Sequence, residues 1–268
     1  MNMENAVLIT GVSGGVGFST AKLFLSKGYK VFGLDIVEPK EALEGLVFIK
    51  TDLRKLDDVK NAFEVVKKSE CKLDSIVSTA GIYDLNSLVE MSEEDFIKIF
   101  DINVFSIYRV NKTFLPLLKE KGKVIMISSE LGPLDPLPFT GIYGITKTTI
   151  EKYAYSLRME LQLLGHQVVL IRPGAIDTGL IDISLERLNN FADTTELYKE
   201  NSRKFQHIVD TVENKKIPPE KIANLIYKVS EKKRPKYIYN INRNFYLRLL
   251  SSLPKRTQNR IIKKILTK

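Results

Sequence analysis

The sequence predicts one α/β domain built on a doubly wound parallel sheet, with a helical extension at its C-terminus. Three observations lead to this prediction. Short apolar runs alternate with helical patterns over most of the 268 residues, which is typical of strand–helix repeats in parallel sheets. The runs are continuous rather than alternating, as in strands that are buried on both faces. A glycine-rich segment directly follows the first run.

Each predicted strand is a short run rich in Val, Ile and Leu. In chain order the predicted strands cover residues 6–10, 29–35, 46–50, 73–80, 122–128, 167–172 and the shorter 237–239. The predicted helices run from the glycine segment to residue 27 and then over 57–69, 93–121, 143–165 and 218–233. Pro116 is expected to bend the third of these helices or to mark its last part. No repeat or linker divides residues 1–240, which we assign to one domain.

The polar segment 177–216 follows the sixth predicted strand. In an open parallel sheet, ligands bind outside the carboxyl ends of the strands. We therefore predict that this segment is a lid over the substrate. The alternative is a pair of helices packed on the domain.

Cysteine and histidine are scarce, which limits the possible chemistry. Cys71 is the only cysteine, so no intramolecular disulfide can form. Together with His166 and His207 it cannot complete a His/Cys zinc site of the usual kind, and no metal is expected. The N-terminus does not resemble a signal peptide, and no apolar run approaches the roughly 18 residues of a membrane span. We expect a soluble, cytoplasmic protein.

The net charge of +9 originates in the C-terminal part of the chain. From residue 231 onward there are twelve Lys or Arg residues and one acidic residue, Glu231. In the extension, residues 241–268, Pro254 separates two predicted amphipathic helices. We favour packing of their apolar stripes on the domain or on a partner subunit. Peripheral contact with an anionic membrane is the alternative, and no motif in this tail indicates nucleic-acid binding.

The segment Thr10-Gly-Val-Ser-Gly-Gly-Val-Gly17 closes the first strand and opens the first helix. Glycines there allow a tight turn and a close approach of the backbone to a pyrophosphate. The helix N-terminus supplies N–H groups and the positive end of its dipole. The predicted cofactor contacts in this segment are Gly11, Ser13, Gly14, Gly15, Val16 and Gly17. A glycine-rich turn without a ligand is the alternative.

Two aspartates follow the next strands. Asp35 ends the second strand, where a carboxylate accepts hydrogen bonds from the adenosine ribose and repels a 2′-phosphate, so NAD(H) is favoured over NADP(H). Asp52, after the third strand, is a candidate for the adenine edge together with the backbone of Leu53. A role for Asp52 in a turn alone is the other interpretation.

Tyr143 and Lys147 lie one helical turn apart, on the same face of a predicted helix. A free tyrosine has a pKa of about 10. An ammonium group beside it favours the phenolate and is expected to lower that pKa toward the range of a general acid/base.

The order of these motifs resembles that of the short-chain dehydrogenase/reductase family, over about residues 6–239. Beyond the glycine segment and the Tyr/Lys pair, the resemblance includes Ser78-Thr79-Ala80-Gly81 in place of the family's Asn-Asn-Ala-Gly, then Asn103, Ser128-Ser129, and Arg172-Pro173-Gly174. The resemblance implies a Rossmann-like fold, a nicotinamide cofactor and interconversion of a secondary alcohol and a ketone. It also implies a homodimer or homotetramer.

The resemblance assigns roles to individual residues. Tyr143 exchanges a proton with the substrate oxygen, Lys147 lowers its pKa and holds the nicotinamide ribose, and Ser129 hydrogen-bonds the substrate oxygen. Asn103 holds, through its backbone, a water that links Lys147 to solvent. The further cofactor contacts that it implies are Ala80, Gly81, Pro173, Gly174 and Thr178. Ser128 is the alternative to Ser129, although its side chain should point away from the site.

The substrate is predicted less sharply. The tail resembles those of family members that act on steroids and retinoids, and the loop 131–139 is apolar. Both favour a bulky apolar alcohol or ketone, such as a hydroxysteroid. A 3-ketoacyl-thioester reductase and a non-catalytic nucleotide-binding regulator are the alternatives.

Overall fold

The computed structural model describes residues 5–213 and 215–267, with side chains described outside residues 180–183 and 210–213. Residues 1–4, 214 and 268 of the predicted domain, lid and extension lie outside these ranges. The strands are β1 Ala6–Thr10, β2 Lys30–Asp35, β3 Leu46–Lys50, β4 Leu73–Ser78, β5 Leu118–Ile127, β6 Gln167–Pro173 and β7 Ile238–Ile241.

The α-helices follow the strands in the expected alternation. They are α1 Gly15–Ser26, α2 Leu56–Lys68, α3 Glu93–Phe100, α4 Ser106–Phe114, α5 Gly141–Leu161, α6 Gly179–Thr194, α7 Lys199–Glu213, α8 Pro219–Glu231, α9 Phe245–Ser252 and α10 Lys255–Thr267. A π-helical turn, Asp101–Phe105, joins α3 to α4.

All strand pairs are parallel, in the spatial order β3-β2-β1-β4-β5-β6-β7. The chain winds outward from β1 in one direction and then from β4 in the other. The crevice between β1 and β4 is therefore the switch point at which ligands of open α/β sheets bind. This architecture confirms the predicted doubly wound, Rossmann-like fold.

Two apolar layers hold helices against the sheet. One face packs on α2, α4 and α5 through side chains such as Val59, Phe114 and Ile150. The other face packs on α1 and α8 through Phe24, Ile222 and Ile226. Every residue of β1 is buried, which explains why its sequence is a continuous rather than an alternating apolar run.

A third cluster lies beyond the sheet. Phe139 contacts the rings of Phe191, Tyr198 and Phe205, which come from α6, α7 and the turn between them. Leu266 of α10 is buried in the same cluster. Segment 177–216 is therefore a helical pair packed on the domain, and its role as a lid stays a prediction.

The structure corrects the predicted helix over residues 93–121. The helix is interrupted by the π-helical turn, α4 ends at Phe114, and a 3₁₀ turn covers Leu115–Leu117. β5 then begins at Leu118, four residues before the predicted start. Pro116 has no N–H group to donate to a helical carbonyl, so an α-helix does not continue through it at low cost.

The C-terminal extension has the two predicted helices, α9 and α10, on either side of Pro254. α10 packs its apolar stripe on the domain, as the favoured interpretation expects, and Asn201 of α7 donates to the carbonyl of Leu266 at 2.8 Å. No helix within residues 5–213 and 215–267 is both long and apolar enough to cross a bilayer.

Candidate active site

The glycine segment makes the tight turn that the sequence predicts. Gly11 has φ +70°, and its N–H donates to the Leu34 carbonyl at 2.8 Å. A Cβ at Gly15 would lie 2.6 Å from Cγ2 of Thr178, and one at Gly17 would overlap the Gly11 carbonyl oxygen. The predicted cofactor residues at the end of β1, the start of α1 and the start of α6 therefore lie together. Side chains at these glycine positions would clash, so only glycine leaves the backbone accessible there.

The start of α1 provides donors for an anion. The first N–H groups of a helix have no acceptor within the helix and carry the positive end of its dipole. Asp35 lies beside this turn, because its carboxylate accepts the Ser13 N–H at 3.0 Å and the Ile36 N–H at 2.7 Å. This backbone-lined cradle, with a carboxylate at its edge, fits a dinucleotide with a free ribose.

Asp52 is engaged with its own loop. Its carboxylate accepts both guanidinium hydrogen bonds of Arg54, at 2.9 and 2.7 Å, as well as the Arg54 N–H at 3.0 Å. These hydrogen bonds hold the pKa of Asp52 below its usual value. The neighbouring Leu53 carbonyl accepts from Arg109 at 3.3 Å. The turn interpretation thus has direct contacts, while adenine contacts of Asp52 and Leu53 stay predictions.

The end of β4 is joined to β1 by a hydroxyl. Thr79 Oγ1 donates to the Thr10 carbonyl at 2.6 Å, and the Ala80 N–H donates to Thr10 Oγ1 at 3.4 Å. Ser78 Oγ is buried without a partner among the described residues. Thr79 therefore provides one of the hydrogen bonds expected from the family's asparagines, and Ser78 provides none.

Asn103 lies in the π-helical turn and is fully buried. Its amide accepts the Ile82 N–H at 2.8 Å and donates to the Ile82 carbonyl at 2.9 Å and to Thr146 Oγ1 at 3.2 Å. A Cβ on Gly81 would lie 3.2 Å from the Asn103 Oδ1 atom and 3.8 Å from Lys147 Nζ. The side chain thus holds the loop after β4 against α5. The water-holding role of its backbone stays a prediction.

Tyr143, Lys147 and Ser129 meet at the end of β5. The Lys147 ammonium donates to the Ile127 carbonyl at 3.2 Å and lies 5.4 Å from the ring centroid of Tyr143. Ser129 lies close enough to Tyr143 to lower the pKa of its phenol, and the Tyr143 ring lies edge-on to Tyr83 with centroids 4.5 Å apart. A phenol, a hydroxyl and an ammonium thus face one small space.

The pKa values differ from the sequence expectation. Burial raises the pKa of Tyr143 to about 12, the negative charge of Glu130 adds to the rise, and the hydrogen bond with Ser129 opposes it. Burial alone lowers the pKa of Lys147 to about 8. Burial thus dominates the pKa of Tyr143 in this structure, and the lowering of that pKa by Lys147 stays a prediction. At neutral pH the phenol is a proton donor.

The Ser128 hydroxyl is hydrogen-bonded to a structural residue rather than to the catalytic group. Its hydroxyl donates to Oε1 of Glu151 at 3.1 Å, and Glu151 also forms a two-pronged ion pair with Arg172 at 2.7 and 2.6 Å. This network joins α5 to the ends of β5 and β6. Glu151 was not singled out from the sequence. Its position eight residues after Tyr143, on the same helix face as Lys147, was the available signal.

The end of β6 carries the remaining predicted contacts. Gly174 donates to the Ile241 carbonyl at 2.9 Å, and a Cβ on Gly174 would overlap the carbonyl oxygen of Asn242. Pro173 and Thr178 border the same cavity as Tyr143. The C-terminal extension therefore begins against the catalytic end of the sheet.

The cavity above Tyr143 has a largely apolar far wall. That wall consists of Leu131, Leu137, Phe205, Ile208, Val209 and Leu247, contributed by the loop after β5, α7 and α9. Glu130, which the sequence argument did not select, lies beside Ser129 and is only 6% exposed. One of its carboxylate oxygens accepts the Asn244 N–H at 2.5 Å. A phenol, a hydroxyl and a carboxylate thus share a cavity with a largely apolar far wall.

Known proteins share both the sequence pattern and the fold. Residues 5–187 match the family model of the short chain dehydrogenases. The chain is similar to NADPH-dependent 3-dehydrocapnine reductase of Ornithobacterium rhinotracheale, with 30% identity over 97% of each chain. It is similar to 3-ketodihydrosphingosine reductase of Bacteroides thetaiotaomicron, with 26% identity over 86% of this chain and 85% of that protein.

A vertebrate relative and a solved structure give the same family. Estradiol 17-beta-dehydrogenase 2 of Mus musculus is 34% identical, over 66% of this chain and 49% of that protein. A short chain dehydrogenase family protein from Francisella tularensis subsp. tularensis SCHU S4 superposes with a TM-score of 0.73 and 25% identity, over 89% of this chain and 97% of that chain. The protein therefore belongs to the short chain dehydrogenase family and is an oxidoreductase of alcohols and ketones that uses a nicotinamide cofactor.

Proposed function

We propose that this enzyme reduces a long-chain ketone that carries an ammonium group beside its carbonyl, with NADH as the preferred cofactor. The observation that carries the proposal is Glu130, a buried carboxylate next to Ser129 in a cavity with an apolar wall. A hydrophobic cavity alone fits many ketones. A carboxylate beside the reacting centre favours a substrate that is cationic there.

The electrostatics of Glu130 support a cationic ligand. Burial raises the pKa of this carboxyl group, while the Asn244 N–H and the charge of Arg243 act in the opposite direction. Within the described residues, no Lys or Arg nitrogen lies within 4.0 Å of the Glu130 carboxylate. A buried carboxylate is costly unless it is paired. A substrate ammonium group would provide that pair.

The Glu130 carboxylate also affects the pKa of Tyr143, the proton donor. The negative charge of Glu130 contributes to the raised pKa of Tyr143, so the two groups lie within electrostatic range. A 2-amino-3-ketone carries its ammonium group on the carbon next to the carbonyl carbon. With the carbonyl oxygen at Ser129 and Tyr143, its ammonium would lie toward Glu130, and its hydrocarbon chain would extend along Phe205, Ile208 and Leu247.

Two relatives that are similar over most of the chain have names consistent with this substrate class. They are named for the reduction of 3-dehydrocapnine and of 3-ketodihydrosphingosine. Both names denote long-chain 2-amino-3-ketones. The similarity to an estradiol dehydrogenase supports the competing proposal of a hydroxysteroid, but a steroid offers no cation to Glu130.

The residues divide the reaction between them. The nicotinamide cofactor supplies the hydride when it is bound. Ser129 donates a hydrogen bond to the carbonyl oxygen and stabilises the charge that develops there. Tyr143 then transfers its proton to that oxygen, and Lys147 stabilises the resulting phenolate. We retain Asn103 as the residue whose backbone holds a water for reprotonation.

The preference for NADH rests on Asp35. Its carboxylate is held beside the glycine turn by the Ser13 and Ile36 N–H groups, where it would repel a 2′-phosphate. One relative is NADPH-dependent, so the ratio of kcat/KM for NADH and NADPH is a direct check. We expect kcat/KM for NADH to exceed that for NADPH by about tenfold or more, and we expect Asp35→Ser to reduce this ratio. A wild-type preference for NADPH would contradict this assignment.

Quaternary structure and location are proposals of the same kind. Exposed apolar residues on α3, α4 and α5, among them Ile97, Tyr108 and Met159, offer a surface for a homodimer or homotetramer. We retain the cytoplasm as the location. Light scattering of the purified protein would measure the assembly.

A substrate panel tests the proposed function. We would follow NADH oxidation with a long-chain 2-amino-3-ketone, the same ketone without the amine, an oxosteroid and a 3-ketoacyl thioester. We expect kcat/KM for the amino ketone to exceed that for the amine-free ketone by at least about tenfold. A higher kcat/KM for the oxosteroid would favour the hydroxysteroid alternative and overturn the proposal. Cofactor binding without turnover of any ketone would favour the regulator.

A further inference from the structure

The outer face of α9 is the part of the molecule that the catalytic site leaves unexplained. Phe245 and Tyr246 are 66% and 73% exposed, and Leu249 on the same face is 51% exposed. These residues are spaced i, i+1 and i+4, so they form one patch on the helix. Large apolar side chains grouped in this way mark an interaction surface rather than an ordinary solvated face.

The inner side of the same helix borders the catalytic cavity. Leu247 lines the cavity wall. Asn244 caps α9 by accepting the Tyr246 and Leu247 N–H groups, while its own N–H donates to Glu130. A single short helix therefore has one face in the cavity and one face, with two aromatic rings, toward solvent. Whatever contacts the outer face lies next to the cavity.

The charge around this patch indicates what kind of partner binds there. Residues 241–268 contain eight Lys or Arg residues and no Asp or Glu. Arg248 on α9, and Arg256 and Arg260 on α10, are exposed, whereas the Lys255 ammonium is paired with the Asp135 carboxylate. Two copies of such a surface would repel each other, whereas anionic lipid headgroups attract clustered basic residues. Tyrosine and phenylalanine next to basic residues are typical of helices that lie in a membrane interface.

We propose that α9 docks the enzyme on an anionic membrane surface, with Phe245, Tyr246 and Leu249 inserted among the lipids and the basic residues of α9 and α10 at the headgroups. The contact is peripheral, since no helix in the described ranges could span a bilayer. Docking there brings the mouth of the cavity to the source of long-chain substrates. The docking surface is defined without reference to the substrate and can be tested without any turnover.

Vesicle sedimentation of the full chain tests the surface. We expect the protein to sediment with vesicles of phosphatidylcholine containing about one-third phosphatidylglycerol and to stay in solution with phosphatidylcholine alone. Combined Phe245→Ser, Tyr246→Ser and Leu249→Ser should weaken binding about a hundredfold. The control, Leu163→Ser with Leu164→Ser, removes two exposed leucines in the 3₁₀ turn that follows α5 and should bind like the wild type.

An indole probe then locates the contact. The chain contains no tryptophan, so Phe245→Trp adds the only indole. Its emission should shift to shorter wavelength on anionic vesicles and be quenched by brominated acyl chains. Phe105→Trp, at an exposed site on the π-helical turn, should show neither change.

Three outcomes would overturn the proposal. One is the absence of sedimentation with anionic vesicles. Another is equal quenching of both probes. The third is wild-type sedimentation by the triple serine variant. Oligomers that dissociate in that variant, without any vesicle binding by the wild type, would assign the face to a subunit interface instead. Unchanged NADH affinity in the triple variant shows that it is folded.

Discussion

The cofactor side and the substrate side of this enzyme are built in different ways. On the predicted cofactor side, Gly11 and Gly17 bring backbone against backbone, and the N-terminus of α1 has free N–H donors. On the substrate side, side chains converge from the loop after β5, from α7 and from α9. The cofactor side depends on the spacing of glycines within one segment. The substrate side depends on how distant helices pack, so it is free to differ between relatives.

The catalytic group lies at the boundary between the two sides. Tyr143 and Lys147 are fixed by the pitch of α5, and Ser129 by the end of β5. Glu130 is the next residue, yet it belongs to the substrate side, because its carboxylate is held by Asn244 of the extension. We therefore expect substitutions on the substrate side, rather than on the cofactor side, to change substrate specificity.

Loss of the phenol should have the largest effect. Tyr143→Phe keeps the ring but removes the proton donor, so kcat/KM should fall by about 10³-fold or more for every ketone. NADH affinity should stay near the wild-type value. Tyr83→Phe, which removes the hydroxyl of the neighbouring ring, is the control and should retain most activity. Full activity of the Tyr143→Phe variant would refute the assigned mechanism.

A methyl group in the glycine turn should damage the cofactor side alone. Gly17→Ala places a Cβ against the Gly11 carbonyl oxygen, and overpacking of this kind costs about 1–3 kcal/mol. We expect NADH affinity, measured by calorimetry, to fall ten- to a hundredfold. Gly144→Ala makes the same chemical change where the Cβ would meet Pro136 at an ordinary 3.5 Å, so it should be tolerated. Equal losses in both variants would argue against the backbone cradle.

The pH profiles should differ between the two directions of the reaction. The pKa of Tyr143 is raised to about 12, so its protonated form predominates at neutral pH and reduction has its acid available. Oxidation needs the phenolate, so its kcat/KM should rise with pH, by up to about tenfold per unit. Lys147 has a pKa of about 8, so it loses its charge at higher pH. The rise of kcat/KM for oxidation with pH should therefore be less steep there. A kcat/KM for oxidation that is independent of pH between roughly 6 and 9, where the phenolate fraction should still be rising with pH, would contradict this.

The sequence was most informative where structure follows from short-range spacing. The continuous apolar runs, the glycine turn and the one-turn interval between Tyr143 and Lys147 each predicted what the structure contains. Asp35 ends β2 as predicted and its carboxylate accepts the Ser13 N–H, while its contact with the ribose stays a prediction. These features depend on a helix or a strand and the loop that follows it, so neighbouring residues determine them.

Long-range packing accounts for what the sequence did not predict. The π-helical turn at Asn103 depends on contacts with the loop after β4 and with α5. The raised pKa of Tyr143 depends on burial, which no local pattern reports. The pairing of Glu130 with Asn244 joins residues 114 positions apart. Each of these arises only when parts of the chain that are distant in sequence pack together.

The central claim is that Glu130 selects a substrate with an ammonium group, and one comparison tests it most directly. Glu130→Gln keeps an oxygen acceptor for the Asn244 N–H and removes the charge. Hydrogen bonds to charged groups contribute about 1.5–3 kcal/mol, so kcat/KM for the 2-amino-3-ketone should fall by roughly ten- to a hundredfold, whereas kcat/KM for the amine-free ketone should stay the same or rise. Equal losses for both ketones, or no loss for the amino ketone, would contradict the claim.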